Sequence, residues 1–249
     1  MEELPTRRSL RKKRRRRSAI DFFTLVLGEI LFTVGGFLAL FLVWQMWWTN
    51  FEAGDNNRAA AQALEQTFSK PEFKPAERRT DMPPVVEPGD MNEPYAKLYV
   101  PRWGKDYMVA IAEGLSYSKV LDFGLAGHYP KTQKIGEIGN AGLAAHRMTR
   151  GAVFQYIEDL EPGDELIVES RDAWIVYTVT SHEVVKPDQG EVLYPVPHQP
   201  EAKPEKPLLT LTTCHPLMST RERYVVHSDF AYWIPRSEGV PDALLEGAQ

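Results

Sequence analysis

Cysteine occurs only once in this chain of 249 residues, at Cys214. A single cysteine has no intramolecular disulfide partner, so we expect the hydrophobic core alone to hold the fold together. One cysteine and dispersed histidines also give no spacing typical of a zinc site, so we expect neither a metal site nor a cofactor. Two interpretations of the thiol remain open, an inert buried side chain and a nucleophile.

Basic residues are concentrated at the N-terminus. The net charge of the chain is −5, but residues 1–21 hold nine basic and three acidic side chains, which leaves −11 for the remainder. Such a basic block is typical of an arm that binds nucleic acid or of a tail that sets membrane orientation. The apolar run that follows favours the second interpretation, and we expect no nucleic-acid partner.

Residues 20–48 form an almost uninterrupted apolar run. About 20 helical residues cross the hydrocarbon layer of a membrane, so this run is long enough to span it. A cleaved signal peptide is the alternative, but it requires small residues at the cleavage site, and residues 45–50 are bulky. We therefore expect a single-pass anchor, with residues 1–19 as a cytoplasmic tail and the rest of the chain outside the cell.

The remaining residues divide by composition. Residues 49–94 begin with good helix formers and continue with six prolines among charged residues after position 70, which indicates an extracellular spacer. Residues 95–235 contain short alternating runs separated by turn signals, which predict a mainly antiparallel closed β-barrel with short helices. Residues 236–249 are interpreted as a C-terminal tail. The prolines and lack of periodicity over residues 184–207 predict a long mobile loop beside the functional site.

The single cysteine lies at the end of a predicted strand, residues 208–214. Side chains alternate along a strand, so Thr210, Thr212 and Cys214 should share one face. Pro216 should end the strand, and residues 223–227 predict a returning strand that begins with Arg223. If the two strands pair, the guanidinium and the sulfur lie near one rim of the sheet.

A thiol attacks a carbonyl carbon as its thiolate, so it needs a neighbouring base. His215 should point to the opposite face from Cys214, while His182 lies in a surface strand and His198 in the proline-rich loop. The pattern of residues alone leaves three histidines open as that base: His128, His146 and His227.

Several motifs resemble those of the sortases, the membrane-anchored cysteine transpeptidases of Gram-positive bacteria. Thr212-Thr213-Cys214-His215-Pro216 is followed by Arg223, and residues 139–147 form a small-residue segment that ends in His146-Arg147. Further motifs are similar to those of class E, the actinobacterial housekeeping type: Gly127-His128-Tyr129-Pro130, Arg150-Gly151, Pro162-Gly163-Asp164-Glu165 and residues 192–197. The resemblance covers about residues 95–233. It departs at Ala145, where the family usually has glycine.

The resemblance implies an eight-stranded sortase barrel and assigns roles to the candidate residues. It implies that Cys214 is the nucleophile, that His146 is the acid and base, and that Arg223 holds the oxyanion or the substrate backbone. Arg221 and Arg147 are alternatives to Arg223 on position alone. No Asp or Glu is clearly placed to orient His146. Expected substrate-binding residues are Tyr107, Thr212, Thr213 and His128.

The resemblance also implies a reaction and partners. The expected substrates are secreted proteins that carry a C-terminal sorting signal similar to Leu-Ala-x-Thr-Gly, cleaved between Thr and Gly. The expected acceptor is an amine of lipid II or of a peptidoglycan stem peptide. Two alternatives remain, an L,D-transpeptidase and a catalytically silent anchored β-domain that acts as a scaffold. The sequence leaves the oligomeric state open.

Overall fold

The computed structural model describes residues 7–68, 70 and 72–245. The chain divides into two units, Met1–Trp48 and Thr49–Gln249. Residues 1–6 of the predicted cytoplasmic tail and residues 246–249 of the predicted C-terminal tail lie outside the described residues.

The described part of the first unit is helical. Helix α1 spans Arg7–Thr67 and contains the whole apolar run of residues 20–48. The described large apolar side chains of this run are exposed, with Leu25 73% and Phe32 85% accessible. Among the described residues it is the one helix that is long and apolar enough to cross a membrane. An apolar surface of this kind is suited to lipid rather than to water.

The described part of the second unit forms a closed eight-stranded barrel, which confirms the predicted fold. The strands run β1-β2-β3-β4-β7-β8-β6-β5 around the barrel, and a short helix, α2 (Asp242–Leu245), follows β8. All pairs are antiparallel except β2 with β3 and β4 with β7. The strands are β1 (Pro94–Tyr99), β2 (Met108–Glu113), β3 (Ala126–His128), β4 (Gly139–Ala144), β5 (Glu165–Glu169), β6 (Ala173–Val185), β7 (Pro207–His215) and β8 (Glu222–Pro235).

Alternation along β7 follows the prediction. Leu209 and Leu211 are fully buried in the main apolar cluster, while Cys214 at the end of the other face is half-buried. On β4, Gly142 has no side chain for a steric reason. A Cβ at Gly142 would lie 2.8 Å from Leu193 Cδ2 and 2.9 Å from Tyr129 Cδ2, which is closer than real contacts allow.

Parts of the segment of residues 49–94 pack against the barrel. Asn57 of α1 donates to Met108 O (3.0 Å) and accepts from Ala110 N (2.8 Å). Farther along, Val86 N donates to Ile135 O (2.9 Å), and the Val86 side chain joins the main core. The prolines keep this segment extended, but its few apolar side chains still find cover on the barrel.

A buried ionic cluster joins the end of α1 to the barrel and to the start of the predicted C-terminal tail. Glu169 Oε2 lies 3.2 Å from Lys97 Nζ, and Glu169 Oε1 lies 2.7 Å from Arg236 Nη2. Glu65 pairs with both cations. Arg236 is only 1% exposed, so residue 236 belongs to the folded domain rather than to a solvated tail.

Two short elements complete the barrel: a 3₁₀ turn at Ile157–Asp159 and strand β3, which has only three residues. One local prediction needs correction. The segment predicted as a loop over residues 184–207 contains the end of β6 and a 3₁₀ turn at Gly190–Leu193.

Candidate active site

The thiol and a guanidinium are paired across two strands. Cys214 near the end of β7 lies opposite Arg223 near the start of β8 in the antiparallel ladder. Pro216 and the following turn reverse the chain between them, as the sequence indicated. The fold therefore brings these two predicted side chains to the same rim of the barrel.

The parallel pairing of β4 with β7 brings His146 to the same level. Ala144 is opposite Thr212, and Thr213 Oγ1 donates to Ala145 O (2.7 Å). His146 follows β4 by two residues, as Cys214 follows Thr212 by two. His146 is half-buried, and its backbone oxygen accepts a hydrogen bond from Phe154 N at 2.9 Å.

A carboxylate holds the His146 ring, although the sequence indicated none. His146 Nε2 lies 2.8 Å from Asp122 Oδ1, which can only accept when ionised. Asp122 follows a helical turn at Tyr117–Leu121 whose buried members, Val120 and Leu121, fix its position. With Nε2 carrying a proton toward Asp122, Nδ1 is the ring nitrogen left to exchange protons in the groove.

Of the three candidate arginines, Arg223 is the one that lines the rim beside the thiol on the β8 side. Its Nη1 donates to Thr220 O (2.9 Å) and to Glu222 O (2.8 Å), which fixes the guanidinium against the preceding turn. Arg221 is exposed and is absent from the described groove lining. Arg147 also lines the larger cavity, but it is buried and is committed to an ion pair with Glu158 (2.6 Å).

Arg147 contacts the backbone at Cys214 and the neighbouring side chain of His215. Arg147 Nη1 is 3.1 Å from His215 Nδ1 and 3.5 Å from the Cys214 backbone oxygen. The hydrogen bond from Arg147 lowers the pKa of Glu158, despite the opposing effect of burial. Because these contacts are to the backbone and to the neighbouring His215, they stabilise the loop at Cys214 rather than the thiol itself.

Two adjoining cavities form a groove over the candidate residues. Their volumes are about 340 and 180 Å³, and Tyr117, His146 and Cys214 line both. Arg223 lines the smaller one, and the turn of residues 216–220 borders the larger one. A thiol, an imidazole and a fixed guanidinium thus line one accessible cleft, and acyl transfer through a thioester uses groups of these three kinds.

Tyr129 is a groove residue that the sequence analysis did not select. Its hydroxyl lies 3.0 Å from Thr212 Oγ1 and lines the smaller cavity with Thr212 and Thr213. Burial raises the pKa of the Tyr129 hydroxyl, and Arg223 and Cys214 exert opposite electrostatic effects on it. The hydroxyl is therefore within electrostatic reach of both groups.

Two expected substrate-binding residues lie elsewhere. His128 is 2% exposed, and its ring nitrogens contact Glu113 Oε2 (2.7 Å) and Gln133 O (2.9 Å). It is a core residue, and its neighbour Tyr129 reaches the groove because adjacent residues of an extended segment point to opposite faces. The Gly-His-Tyr-Pro motif, which contains both residues, was the feature of the sequence that could have indicated Tyr129.

Tyr107 is the second of these residues. Its ring packs edge-to-face on Trp103 at 4.9 Å, and its hydroxyl donates to Val153 O. Burial raises the pKa of this hydroxyl. Tyr107 is absent from the described lining of the groove, so it supports the fold beneath the first hairpin.

Known proteins are similar to this chain in sequence and in fold. A family model described as a sortase domain matches residues 98–231. Sortase SrtE1 of Streptomyces coelicolor is 38% identical over 225 residues, a match that covers 88% of this chain and 60% of that protein. The chain thus spans about 60% of the length of that relative.

Two solved structures are also similar. The SrtA sortase from Actinomyces oris has a TM-score of 0.64 and 45% identity, and the match covers 67% of this chain and 96% of that one. Sortase E1 from Streptomyces coelicolor, solved with a tripeptide in its active site, has a TM-score of 0.58 and 42% identity, with coverage of 61% and 97%.

Proposed function

This chain belongs to the sortase family of cysteine transpeptidases, with relatives in class E, and on that basis we propose that it cleaves a sorting signal similar to Leu-Ala-x-Thr-Gly between Thr and Gly. Membership in this family leaves no place for the L,D-transpeptidase alternative. The observation that carries the proposal is the convergence of Cys214, His146 and Arg223 on one groove.

In the first half-reaction, the Cys214 thiolate adds to the carbonyl carbon of the signal's threonine. The electron pair of the carbonyl moves to oxygen, and the Arg223 guanidinium donates to the oxyanion or to the adjacent substrate backbone. The C–N bond then breaks as the His146 imidazolium donates a proton to the departing glycine nitrogen. A thioester between the threonine and Cys214 remains.

In the second half-reaction, an acceptor amine attacks the thioester carbonyl. Neutral His146 takes a proton from the attacking nitrogen, and the Cys214 thiolate leaves as the new amide forms. We assign the acceptor to lipid II or to a peptidoglycan stem peptide. Thr212 and Thr213 are assigned to the substrate side of the groove, because both line the smaller cavity beside Cys214.

We further propose that residues 20–48 are a single-pass membrane anchor, with the N-terminus in the cytoplasm and the barrel outside. Support comes from the apolar surface of residues 20–48 and from the nine basic residues that precede this run. Basic flanks stay on the cytoplasmic side, and tryptophans such as Trp44 and Trp47 favour the interface. The enzyme then works where secreted proteins and membrane-bound cell-wall precursors both emerge.

The test is a cleavage assay of the full chain in detergent micelles, with a panel of pentapeptide signals. Release of the glycine-containing fragment is measured by chromatography. Cys214→Ala should abolish release, and Arg223→Ala should lower kcat/KM by about 10²–10³, the size seen for loss of an oxyanion donor.

Two matched controls use side chains of the same type outside the groove. Arg221→Ala should stay within about twofold of wild type, since surface substitutions change free energies by about 0.5 kcal/mol or less. Substitution of His182, an exposed histidine, is the matched control for substitution of His146. A folded chain that cleaves no signal of the panel would favour the scaffold alternative.

A further inference from the structure

Three side chains that are distant in sequence meet on the barrel surface. Glu183 lies on β6, His227 on β8 and His198 in the segment between β6 and β7, residues 186–206. Their ligand atoms all lie within 4.8 Å of one another. Glu183 Oε1 is 2.6 Å from His198 Nε2 and 2.9 Å from His227 Nε2.

Hydrogen bonds behind His227 determine which ring nitrogen carries its proton. Asn140 Nδ2 donates to Val192 O (3.2 Å), so Asn140 Oδ1 is an acceptor and takes the Thr210 hydroxyl proton (2.8 Å). Thr210 has one hydroxyl proton, so its oxygen must accept from His227 Nδ1–H, at 3.0 Å. Neutral His227 therefore presents the lone pair of Nε2 to the Glu183 carboxylate.

A lone pair that faces a carboxylate oxygen requires a cation between them. A proton between His227 Nε2 and Glu183 is one solution. However, His198 Nε2 contacts the same carboxylate oxygen as a third possible ligand atom, and a proton shared by His227 and Glu183 does not involve it. Two imidazole nitrogens and one carboxylate oxygen are the ligands that Zn²⁺ takes in open, three-residue sites. The bond from His227 Nδ1–H to Thr210 has the form of the outer-shell contacts that orient metal-bound histidines.

The cluster also has room and access. The side chains of His227, Glu183 and His198 are 12%, 31% and 45% exposed, so a fourth position faces water. Ligands of a tetrahedral zinc ion are about 3.3 Å apart when the metal bonds are about 2.0–2.1 Å long. Zinc binding would thus lengthen the present contacts of Glu183 with His198 and with His227 by less than about 1 Å. His198 has a positive φ of 61°, an uncommon conformation for histidine that points to a constrained position.

We propose that Glu183, His198 and His227 bind a divalent d-block cation of the Zn²⁺ type, with water as a fourth ligand. The ion ties the segment between β6 and β7 to two strands of the barrel. The same segment carries Leu193, which packs at Gly142 beside Tyr129 of the groove. Spacing in the sequence predicted no metal site because 15 residues separate Glu183 from His198 and 44 separate it from His227.

The experiment titrates ZnCl₂ into the full chain in detergent, after chelator treatment, by competition with a zinc indicator. All samples carry Cys214→Ala, because the catalytic thiol and His146 are themselves potential zinc ligands. This background is inactive under the proposed function, so the readout is independent of turnover. Variants are His198→Ala and Glu183→Gln, with His182→Ala as the matched control, an exposed histidine next to Glu183 on the same strand.

The expected result is one zinc equivalent bound by the background chain and by the His182→Ala control, with affinity at least about tenfold weaker in the other two variants. Bound Co²⁺ should show the visible absorption of a tetrahedral ion, and amide exchange over residues 194–203 should slow on Zn²⁺ addition. Absence of binding would overturn the proposal and leave a proton shared by His227 and Glu183. Equal affinity in all four chains would also overturn it. The unfolding temperature of the His198→Ala variant should equal that of the background chain, because the side chain is exposed. Weaker zinc binding by this variant is then not the result of misfolding.

Discussion

Replacement of Asp122 by asparagine tests how the His146 imidazole is held for proton transfer. The structure has a 2.8 Å contact from His146 Nε2 to Asp122 Oδ1, with side chains 18% and 33% exposed. Asparagine keeps the shape of the side chain but removes the charge. The ring then loses the acceptor that fixes its tautomer and that stabilises its protonated form during departure of the leaving amine.

The size of the effect follows from the partial exposure of the pair. A hydrogen bond to a charged group contributes about 1.5–3 kcal/mol, and partial solvent screening reduces this to about 1–2 kcal/mol. At 1.4 kcal/mol per tenfold, kcat should fall about 5- to 30-fold. Because Asp122 acts through His146 and not on the peptide, KM should change little.

The assay is steady-state cleavage of the best signal peptide by the full chain. Asp122→Glu should recover part of the lost kcat, since it restores the carboxylate. The matched control is Asp106→Asn, an exposed aspartate in the turn after β1. A folded Asp122→Asn chain with wild-type kcat would refute the positioning role, and so would a rise in KM that accounts for the whole loss.

Three further predictions concern stability and packing. Glu169→Gln should destabilise the fold by about 3–5 kcal/mol in thermal unfolding, because it leaves the buried cations Lys97 and Arg236 short of a partner. Glu158→Gln should lower the unfolding temperature near neutral pH, and the difference from wild type should shrink as the pH falls below about 4. The reason is that the folded-state pKa of Glu158 is depressed by Arg147, so the stabilisation is present above the unfolded pKa and lost as acid protonates the folded carboxylate. Gly142→Ala should cost about 1–3 kcal/mol and lower kcat/KM, because its Cβ displaces Tyr129 and Leu193.

Two of these predictions have a control variant in the chain. Glu205→Gln, at an exposed position, should leave the unfolding temperature unchanged, and a similar loss there would remove the burial argument. A pH-independent difference for Glu158→Gln would contradict the ion-pair assignment. A Cβ at Gly190 meets nothing within 4 Å. Gly190→Ala should therefore leave stability and kcat/KM unchanged, whereas Gly142→Ala lowers both.

The part of the site that lies on regular strands was predictable from the sequence. Alternation placed Cys214 at the polar end of β7, and a proline followed by a returning strand put Arg223 opposite it. Both arguments need only the two-residue period of a strand and the pairing of neighbours. The closed barrel followed in the same way from many short runs separated by turns.

The rest depends on contacts between segments without a period. Asp122 reaches His146 across 24 residues from a turn, and no local pattern indicates that approach. His128 and Tyr129 were distinguishable only once β3, a three-residue strand, fixed which of them faces inward. The proline-rich composition of residues 70–94 predicted an extended chain, but it gave no indication that Val86 docks in the core.

The most direct test of the central claim is trapping of the acyl-enzyme. The full chain is mixed with the best signal peptide without an amine acceptor, quenched in acid and examined by mass spectrometry of intact protein and of its proteolytic fragments. We predict an added mass equal to the peptide up to its threonine, located on Cys214 and absent from the Cys214→Ala chain. Cleavage of the peptide with an adduct elsewhere, or by the Cys214→Ala chain, would contradict it.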